Sequence, residues 1–239
     1  MRMLRKLGLL VLLAAPSTAQ AYIDPAPVIL EKAAKARAAL DLQSLFVEGA
    51  HVEGKLRHPL ERGFAIGTGY FTEVRLGPDE VLVELVRDGR RWSHRVGEAA
   101  GAPAPHPQDL WLALVTHDAR DPGGRRGLAF LSHHGIDASI VSLGRQQRRP
   151  VYIIGAPAGQ LDVPQLWLDK ELLVPVRLVM RSSEGTREIR LLGFHGPVTG
   201  PFFPEEIEER VGERLLRKTR IDRVEPNAPL EPRRLEAPR

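Results

Sequence analysis

The segment spanning residues 165–195 constrains the fold most, because it is typical of three consecutive β-strands joined by two short turns. Apolar side chains occupy every second position of the middle strand, at Val174, Val176, Leu178 and Met180. Such period-two alternation indicates a strand with one buried and one solvated side. In the third strand, Ile189 and Leu191 alternate with charged residues. The pattern predicts an antiparallel sheet whose broad apolar face covers either a core or a ligand.

Residues 64–76 predict a second, more strongly bent strand. Large side chains share one parity, at Phe64, Ile66, Tyr70, Val74 and Leu76. Glycine and alanine dominate the other parity, at Gly63, Ala65, Gly67 and Gly69. Glycine inside a strand marks a bend, a bulge or a close backbone approach, so we expect a strongly curved sheet here.

The dipeptide Asp88-Gly89 predicts a two-residue hairpin turn, because both positions tolerate positive φ. The resulting register pairs Leu85 with Trp92, Val83 with His94 and Val81 with Val96. All three pairs then lie on one face, which favours an apolar surface there. The same register places Arg87 opposite Arg90, an unfavourable like-charge pair.

Three helical segments are predicted around these strands. The first begins at Asp24 and Pro25, a helix-start signal, and carries an alanine-rich apolar stripe. The others cover residues 107–117, which include Trp111, and residues 126–134, which precede Gly135. We therefore expect one α+β domain over residues 22–226 with a mainly antiparallel sheet. The proline-rich residues 227–239 predict a largely disordered tail.

The first 21 residues are typical of a cleavable signal peptide. A basic start precedes a short apolar run at residues 7–15, and Ala19-Gln20-Ala21 supplies a small-x-small cleavage pattern. The run is far shorter than the ~20 residues that span a bilayer. We expect cleavage after Ala21 and a periplasmic chain that begins at Tyr22. With no cysteine in the chain, no lipid-attachment cysteine follows the cleavage site, so we expect a soluble product.

The sequence offers no positive signal for an enzyme or a cofactor. It contains no Gly-x-Ser-x-Gly, no phosphate-binding loop and no zinc-type histidine pair, and the lack of cysteine excludes thiolate chemistry. The adjacent His133 and His134 diverge by about 100° on a helix, so helix-end capping explains them better than metal binding. The formal net charge of +4 includes three charges of the signal peptide, so the remaining chain is nearly neutral. That balance does not favour nucleic-acid binding.

Two motifs carry a family resemblance. The segment Trp-Leu-Asp-Lys-Glu, followed by Leu-Val-Pro-Val-Arg-Leu and a charged strand ending at Gly193-Phe194, resembles the LolA-like superfamily of periplasmic lipoprotein-sorting proteins. The closing segment at residues 221–230 is also similar. The resemblance covers about residues 160–230. It implies a half-barrel sheet whose concave face is covered by the N-terminal helix and the helical insertion. It also implies that the cavity between them holds acyl chains of lipids or lipoproteins, exchanged with membrane-bound donor or acceptor proteins.

The candidate acyl-chain site comprises the large side chains of the apolar parities and two tryptophans. These residues are Phe64, Ile66, Tyr70, Val81, Val83, Leu85, Trp92, Trp111, Val176, Leu178 and Met180. Core packing is the alternative role for the tryptophans, and a lid over the cavity is the functional role for Trp111. Two function classes stay open beside a weaker hydrolase hypothesis: a lipid carrier, and an envelope sensor or scaffold whose cavity is filled by its own side chains.

Overall fold

The computed structural model describes residues 23–88, 90–105 and 124–237. The predicted signal peptide, its cleavage site, the helix at residues 107–117 and Trp111 lie outside these residues. Two α-helices are described, α1 at Ala26–Ala38 and α2 at Arg125–His133. Neither is long and apolar enough to span a membrane.

Thirteen strands of the described chain form one antiparallel sheet that curls into an open half-barrel. The strands are β1 Ser44–Glu53, β2 Leu56–Ala65, β3 Gly69–Arg75, β4 Val81–Arg87, β5 Arg90–Arg95, β6 Ala104–Pro105, β7 Val141–Gln146, β8 Arg149–Ile154, β9 Gln165–Asp169, β10 Pro175–Ser182, β11 Gly185–Leu192, β12 Glu206–Val211 and β13 Arg214–Pro226. Their spatial order is β6-β5-β4-β3-β2-β1-β13-β12-β11-β10-β9-β8-β7. Consecutive strands are therefore neighbours in the sheet except β6 and β7, which form its two edges, and β13 joins the two runs by pairing with both β1 and β12.

The helices form close to the predicted positions. Helix α1 starts at Ala26 with Pro25 as N-cap, while Asp24 forms an ion pair with Lys32 at 2.6 Å instead of capping the helix. Helix α2 ends just before Gly135, whose φ of 65° fits the predicted left-handed cap. Both helices pack on one face of the sheet, which we call the inner face, and the opposite face is the outer face.

The main core lies between the helices and the inner face. Ile29 of α1 and Leu131 of α2 are fully buried against the strands. The sheet contributes Leu45, Val47, Phe64, Tyr70, Val86, Leu166, Leu168, Leu178, Ile189, Leu191, Ile207 and Ile221, among others. We call strands β1–β6 one wing of the half-barrel and strands β7–β13 the other. The core side chains come from both wings, so their contacts with the two helices stabilise the curvature of the sheet.

The β4–β5 hairpin confirms the predicted register but corrects the predicted face. Leu85 pairs with Trp92, Val83 with His94, and Arg87 with Arg90. The neighbouring Val86 belongs to the inner core. Because successive side chains of a strand point to opposite faces, Val81, Val83, Leu85 and Trp92 lie on the outer face, away from the helices. The expectation that these four side chains join Phe64 and Tyr70 on one surface is wrong.

A β-bulge in β10 corrects a second expectation. The pairing of β10 with β9 slips between Pro175 and Arg177. Leu178 and Met180 consequently face inward, whereas Val176 packs against a separate outer cluster that includes Trp167. Proline lacks an N–H for the ladder, which explains a bulge at this position.

Residues 227–237 pack against the sheet, which differs from the disordered tail expected there. The side-chain oxygen of Asn227 accepts a hydrogen bond from the Gln43 backbone N–H at 2.8 Å. A short 3₁₀ helix at Pro232–Leu235 follows, and the Leu235 carbonyl accepts a hydrogen bond from Arg87 at 3.1 Å. The prolines end the strand, but polar side chains and carbonyls attach the segment to the outer face.

Candidate ligand-binding site

A cavity of about 900 Å³ opens at one end of the inner face. Its walls come from β2, β4 and β5 on one wing, and from β10, β11 and β13 on the other. The end of α2 and the loops at residues 135–140 and 155–164 complete the wall. This volume falls in the range of about 300–1,000 Å³ that is usual for small-molecule sites.

One wall of the cavity is apolar. Met180 and Ile189 lie at the boundary between the cavity and the main core, since both belong to the core cluster and line the cavity. Ile140, Val163 and Pro164 add apolar surface from the loops. An alkyl chain could therefore lie along this wall without burying an unpaired polar group.

The remaining lining is rich in arginine. Among the residues that the structure describes, the lining includes the arginines Arg62, Arg91, Arg181, Arg187 and Arg217 and the acidic residues Glu84 and Asp137. Arg62, Arg91, Arg187 and Arg217 occupy inward positions of their strands, whereas Arg181 follows the inward-facing Met180 and lies on the opposite parity. On β2, for example, Arg62 follows Leu60 and precedes Phe64 at two-residue spacing. These inward charged residues form a polar belt that crosses the sheet beyond the apolar core. Its members are Arg62, Glu84, Arg91, Arg187, Glu209 and Arg217.

Glu209 anchors the belt on one wing. Its buried carboxylate accepts hydrogen bonds from Arg187 at 2.8 Å and from the Arg217 Nε at 3.1 Å. Burial raises the pKa of Glu209, but the charges and hydrogen bonds of Arg217 and Arg187 outweigh it and lower the pKa below its usual range. The carboxylate is therefore ionised at neutral pH, and one negative charge is shared by two arginines.

The other wing has its own polar contacts. Arg62 donates from Nε to the Thr72 hydroxyl at 2.8 Å, and its guanidinium lies 6.0 Å from the centroid of the Tyr70 ring. Arg91 donates to Glu84 at 3.3 Å. These contacts hold two of the guanidinium groups along the cavity wall.

Histidines sit at two edges of the belt. His51 contacts the Thr219 hydroxyl at 2.9 Å, and burial together with the charges of Arg217 and Arg62 lowers its pKa to about 3. At the end of α2, His134 stacks against Phe130 with ring centroids 5.0 Å apart. Burial and the neighbouring His133 lower the pKa of His134. Both His51 and His134 are consequently neutral at neutral pH.

The structure brings together only part of the predicted acyl-chain site. Phe64, Ile66, Tyr70, Leu178 and Met180 meet on the inner face, but of these only Met180 lines the cavity. The other four pack within or against the core. Val81, Val83, Leu85, Trp92 and Val176 lie on the outer face, and Trp111 lies outside the described residues.

The arginine lining was missed by the sequence prediction. The sequence nevertheless contains a signal for a polar site. Arg62 and Glu84 occupy inward positions of strands whose other inward side chains are largely apolar. Charged residues are almost never placed inward without a partner or a function. Among the described residues, no group of three or more His, Asp or Glu side chains is arranged to hold a metal ion.

No protein-family model matches the chain, and no curated protein matches its sequence. Solved structures do match over most of its length. A LolA superfamily protein from Nitrosomonas europaea is 13% identical, with 90% of this chain and 99% of that chain covered and a TM-score of 0.51. A DUF1329 family protein from Desulfovibrio piger is 12% identical, with 90% and 98% covered and a TM-score of 0.52.

A third similar structure is a domain from Vibrio parahaemolyticus assigned to outer membrane lipoprotein sorting. It is 9% identical, with 86% of this chain and 95% of that chain covered and a TM-score of 0.52. At these identities the likeness concerns the fold. Together with the curled antiparallel sheet and the two helices on its inner face, it shows that the chain adopts the LolA-like fold.

Proposed function

We propose that this protein is a periplasmic carrier that binds the acyl chain of a lipid or lipoprotein in the cavity at the open end of the inner face. The single observation that carries the proposal is a cavity of about 900 Å³ in a LolA-like half-barrel. One of its similar structures is assigned to lipoprotein sorting, which supports the same class of cargo. No step of this function requires an enzyme activity or a cofactor.

The acyl chain would contact a different surface from the one that sequence alone suggests. The strands bearing Phe64 and Leu178 are closed off by α1 and α2, and a gap of about 30 Å³ remains beside α1. That volume accommodates only a few water molecules and is too small for a chain. The chain would therefore lie along Met180, Ile189 and the loop residues Ile140 and Val163.

The expected affinity is moderate. About 14 methylenes at ~0.8 kcal/mol each offer ~11 kcal/mol of gross burial energy. Ordering the chain and losing its translational freedom offset much of this energy, which leaves roughly micromolar binding. Such an affinity suits a carrier, because the cargo has to leave again.

The periplasmic location rests on the signal peptide that the first 21 residues predict. Protein recovered from the periplasmic fraction should have the intact mass of a chain that starts at Tyr22. A full-length, membrane-bound species would contradict both the cleavage and the carrier proposal.

A second candidate function is an envelope sensor or scaffold that uses the same fold without cargo. The observation in its favour is the filled core, since both helices pack tightly on the apolar part of the inner face. A protein of this kind would use its outer surface or rim to bind another protein.

Lipid binding separates the two candidates. We would extract the purified protein with organic solvent, identify co-purified lipids by mass spectrometry and titrate the emptied protein with a fluorescent fatty acid. Ile140→Trp, which fills the cavity, should weaken binding at least tenfold. Val83→Trp, on the outer face, is the matched control and should bind like the wild type. No extracted lipid and no saturable binding would favour the sensor or scaffold.

A further inference from the structure

We infer that the outer face of strands β2–β4 carries a recognition groove for an extended segment of a partner protein, and that the C-terminal segment of this chain occupies the groove as a displaceable latch. The latch comprises residues 228–236. The partner segment that fits the groove has a leucine followed four positions later by an arginine. This inference concerns the face opposite the cavity and does not depend on the proposed carrier function.

The floor of the groove is one row of residues across three neighbouring strands. Gly63 of β2 pairs with Phe71 of β3, and Phe71 pairs with Leu85 of β4. This row faces away from the helices, and yet Phe71 and Leu85 are buried. An apolar row on the outer face needs a cover that keeps it out of water, and the 3₁₀ helix of the latch contacts both β3 and β4.

The two sides of the floor carry opposite charges. On one side, Glu61 of β2 pairs directly with Glu73 of β3, two positions away from the floor row. On the other side, Arg87 lies two positions after Leu85 on β4. Like charges directly opposite each other on a sheet are destabilising, so a cation bound between the two carboxylates stabilises the acidic side.

The latch matches each part of this groove. Leu230 lies against Gly63, because a Cβ at position 63 would stand 3.1 Å from the Leu230 Cδ2. The Arg234 guanidinium lies 3.9 Å from the centroid of the Phe71 ring and pairs with both carboxylates of the acidic side at 2.8 Å. The carbonyl of the next residue accepts a hydrogen bond from Arg87 at 3.1 Å. Leucine, arginine and one backbone carbonyl are therefore the groups that the groove recognises.

The partner residue has to be arginine rather than lysine. The planar guanidinium stacks on an aromatic face while its N–H groups reach two carboxylates, whereas the ammonium of lysine is a point charge on a flexible stem. Among the described residues, Glu61 and Glu73 form no ion pair other than those with Arg234. The two carboxylates and the ring thus form a receptor for one guanidinium group.

The latch is held by these few anchors and not by a strand ladder. In the described part of the chain, the last backbone hydrogen bond to the sheet runs from the Asn227 N–H to the Ser44 carbonyl at 2.9 Å. Further along, the backbone bonds are local to the 3₁₀ helix, and most latch residues are exposed. Segments with few buried contacts open at a low cost in free energy. The latch can therefore leave the groove while the sheet stays folded.

A partner protein fits the groove better than a second copy of this chain. The Asn227 side chain accepts a hydrogen bond from the Gln43 N–H at 2.8 Å and donates one to the Asp41 carbonyl at 3.2 Å. These bonds hold the start of the latch beside its own groove. The tail of a second copy would have to give up the same bonds to reach across, whereas a partner segment has none to lose.

The test uses the full-length protein and a fluorescent peptide with the sequence of residues 227–237, with binding followed by anisotropy. The tethered latch has an effective concentration in the millimolar range, so the wild type should bind the peptide weakly. Arg234→Ala weakens the latch and makes the groove available, so this variant should bind the peptide about five- to thirtyfold more tightly. Arg233→Ala removes the exposed neighbouring arginine and should bind the peptide as weakly as the wild type.

Two further substitutions test the chemistry of the groove. A peptide that carries Arg234→Ala should not bind to the Arg234→Ala protein, whereas a peptide that carries Arg233→Ala should bind like the unchanged peptide. Adding Glu73→Gln to the Arg234→Ala protein should weaken peptide binding about tenfold, because the guanidinium loses one of its two carboxylates. Circular dichroism checks that each variant is folded.

The absence of saturable binding to the folded Arg234→Ala protein would overturn the inference, as would equal binding of the peptides with and without Arg234. Light scattering gives the oligomeric state of the wild type, which we expect to be monomeric. A dimer that dissociates on Arg234→Ala would identify the tail of a second copy as the occupant and overturn the assignment to a partner protein. The lipid-binding assay reports on the inner face, so the carrier proposal and this inference can fail independently.

Discussion

The guanidinium carbon of Arg234 lies 3.9 Å from the centroid of the Phe71 ring on the outer face of the sheet. The same guanidinium pairs with Glu61 and Glu73 at 2.8 Å each, so it lies between two carboxylates and over one aromatic face. Phe71 itself is fully buried although it faces away from the helices. The C-terminal segment thus supplies the cover that this part of the outer face needs.

Replacing Arg234 by Ala should lower the free energy of unfolding by about 1–2 kcal/mol. A cation–π contact contributes about 0.5–2 kcal/mol, and the two half-exposed ion pairs add a smaller amount. Urea unfolding followed by circular dichroism measures the change. Arg233→Ala removes an exposed arginine of the same 3₁₀ helix and should shift stability by less than ~0.5 kcal/mol. Equal losses in the two variants would contradict a specific role for Arg234.

Gly63 is the second residue on which this cover depends. A Cβ at position 63 would lie 2.3 Å from Cε1 and 2.6 Å from Cζ of Phe71, and 3.1 Å from a methyl of Leu230. Gly63→Ala should therefore displace the Phe71 ring and destabilise the protein by about 1–3 kcal/mol, as overpacking does. Limited proteolysis should also show faster cleavage within residues 227–237.

Gly101→Ala is the matched control for Gly63→Ala. A Cβ at position 101 would meet no atom within 4 Å, and its φ is not in the left-handed region. We expect the same stability as the wild type or a slight gain, because alanine restricts the unfolded chain. A stability loss at Gly101 as large as that at Gly63 would show that the Phe71 contact is not the cause.

The hairpin register was predictable from sequence because the Asp88-Gly89 turn determines it locally. Asp88 has a φ of 50°, as a turn of this kind requires. The face was not predictable, since the apolar parity of β4 is covered by a segment about 150 residues away in sequence. The inward parity, in contrast, carries Glu84 and therefore looks solvated.

Two other features differ in how far the sequence could reveal them. Pro175 lies inside an apolar strand pattern, and proline within such a pattern is itself a signal for a bulge. The arginine belt depends on the pairing of β1 with β13, which brings His51 next to Thr219. That pairing joins segments far apart in sequence, so no local pattern predicts which charged residues meet in the cavity.

The stability of the folded protein should depend on pH through His51. Its pKa is about 3 in the folded protein and about 6.5 in an unfolded chain. Between these values the unfolded state binds more protons, so stability falls as pH falls, by up to ~1.4 kcal/mol per pH unit. His51→Gln keeps a partner for Thr219 but removes this titration.

We therefore expect the difference in unfolding free energy between wild type and His51→Gln to change between pH 6.5 and pH 4 and to be constant from pH 7.5 to 9. Urea unfolding at several pH values measures it. Arg62, Arg217, Glu209 and His58 act on His51 electrostatically and are present in both proteins, so the comparison isolates the imidazole. A constant difference across the whole range would contradict the buried, neutral His51.

The contribution of Arg37 to stability should depend on the shape of its guanidinium group and not only on its positive charge. Near the end of α1 it donates to the carbonyls of Pro201 at 2.7 Å and Phe202 at 3.0 Å, and burial lowers its pKa to about 10. It therefore stays charged at neutral pH, and lysine would keep the charge but lose the fork that reaches two carbonyls. Arg37→Lys should lower the free energy of unfolding, measured with urea, by about 1–3 kcal/mol because a buried carbonyl loses its donor.

The control is the reverse exchange on the exposed side of the same helix. Lys35→Arg should keep the free energy of unfolding within ~0.5 kcal/mol of the wild type. If Arg37→Lys is equally neutral, the two carbonyl contacts do not hold the loop at residues 193–204 to α1.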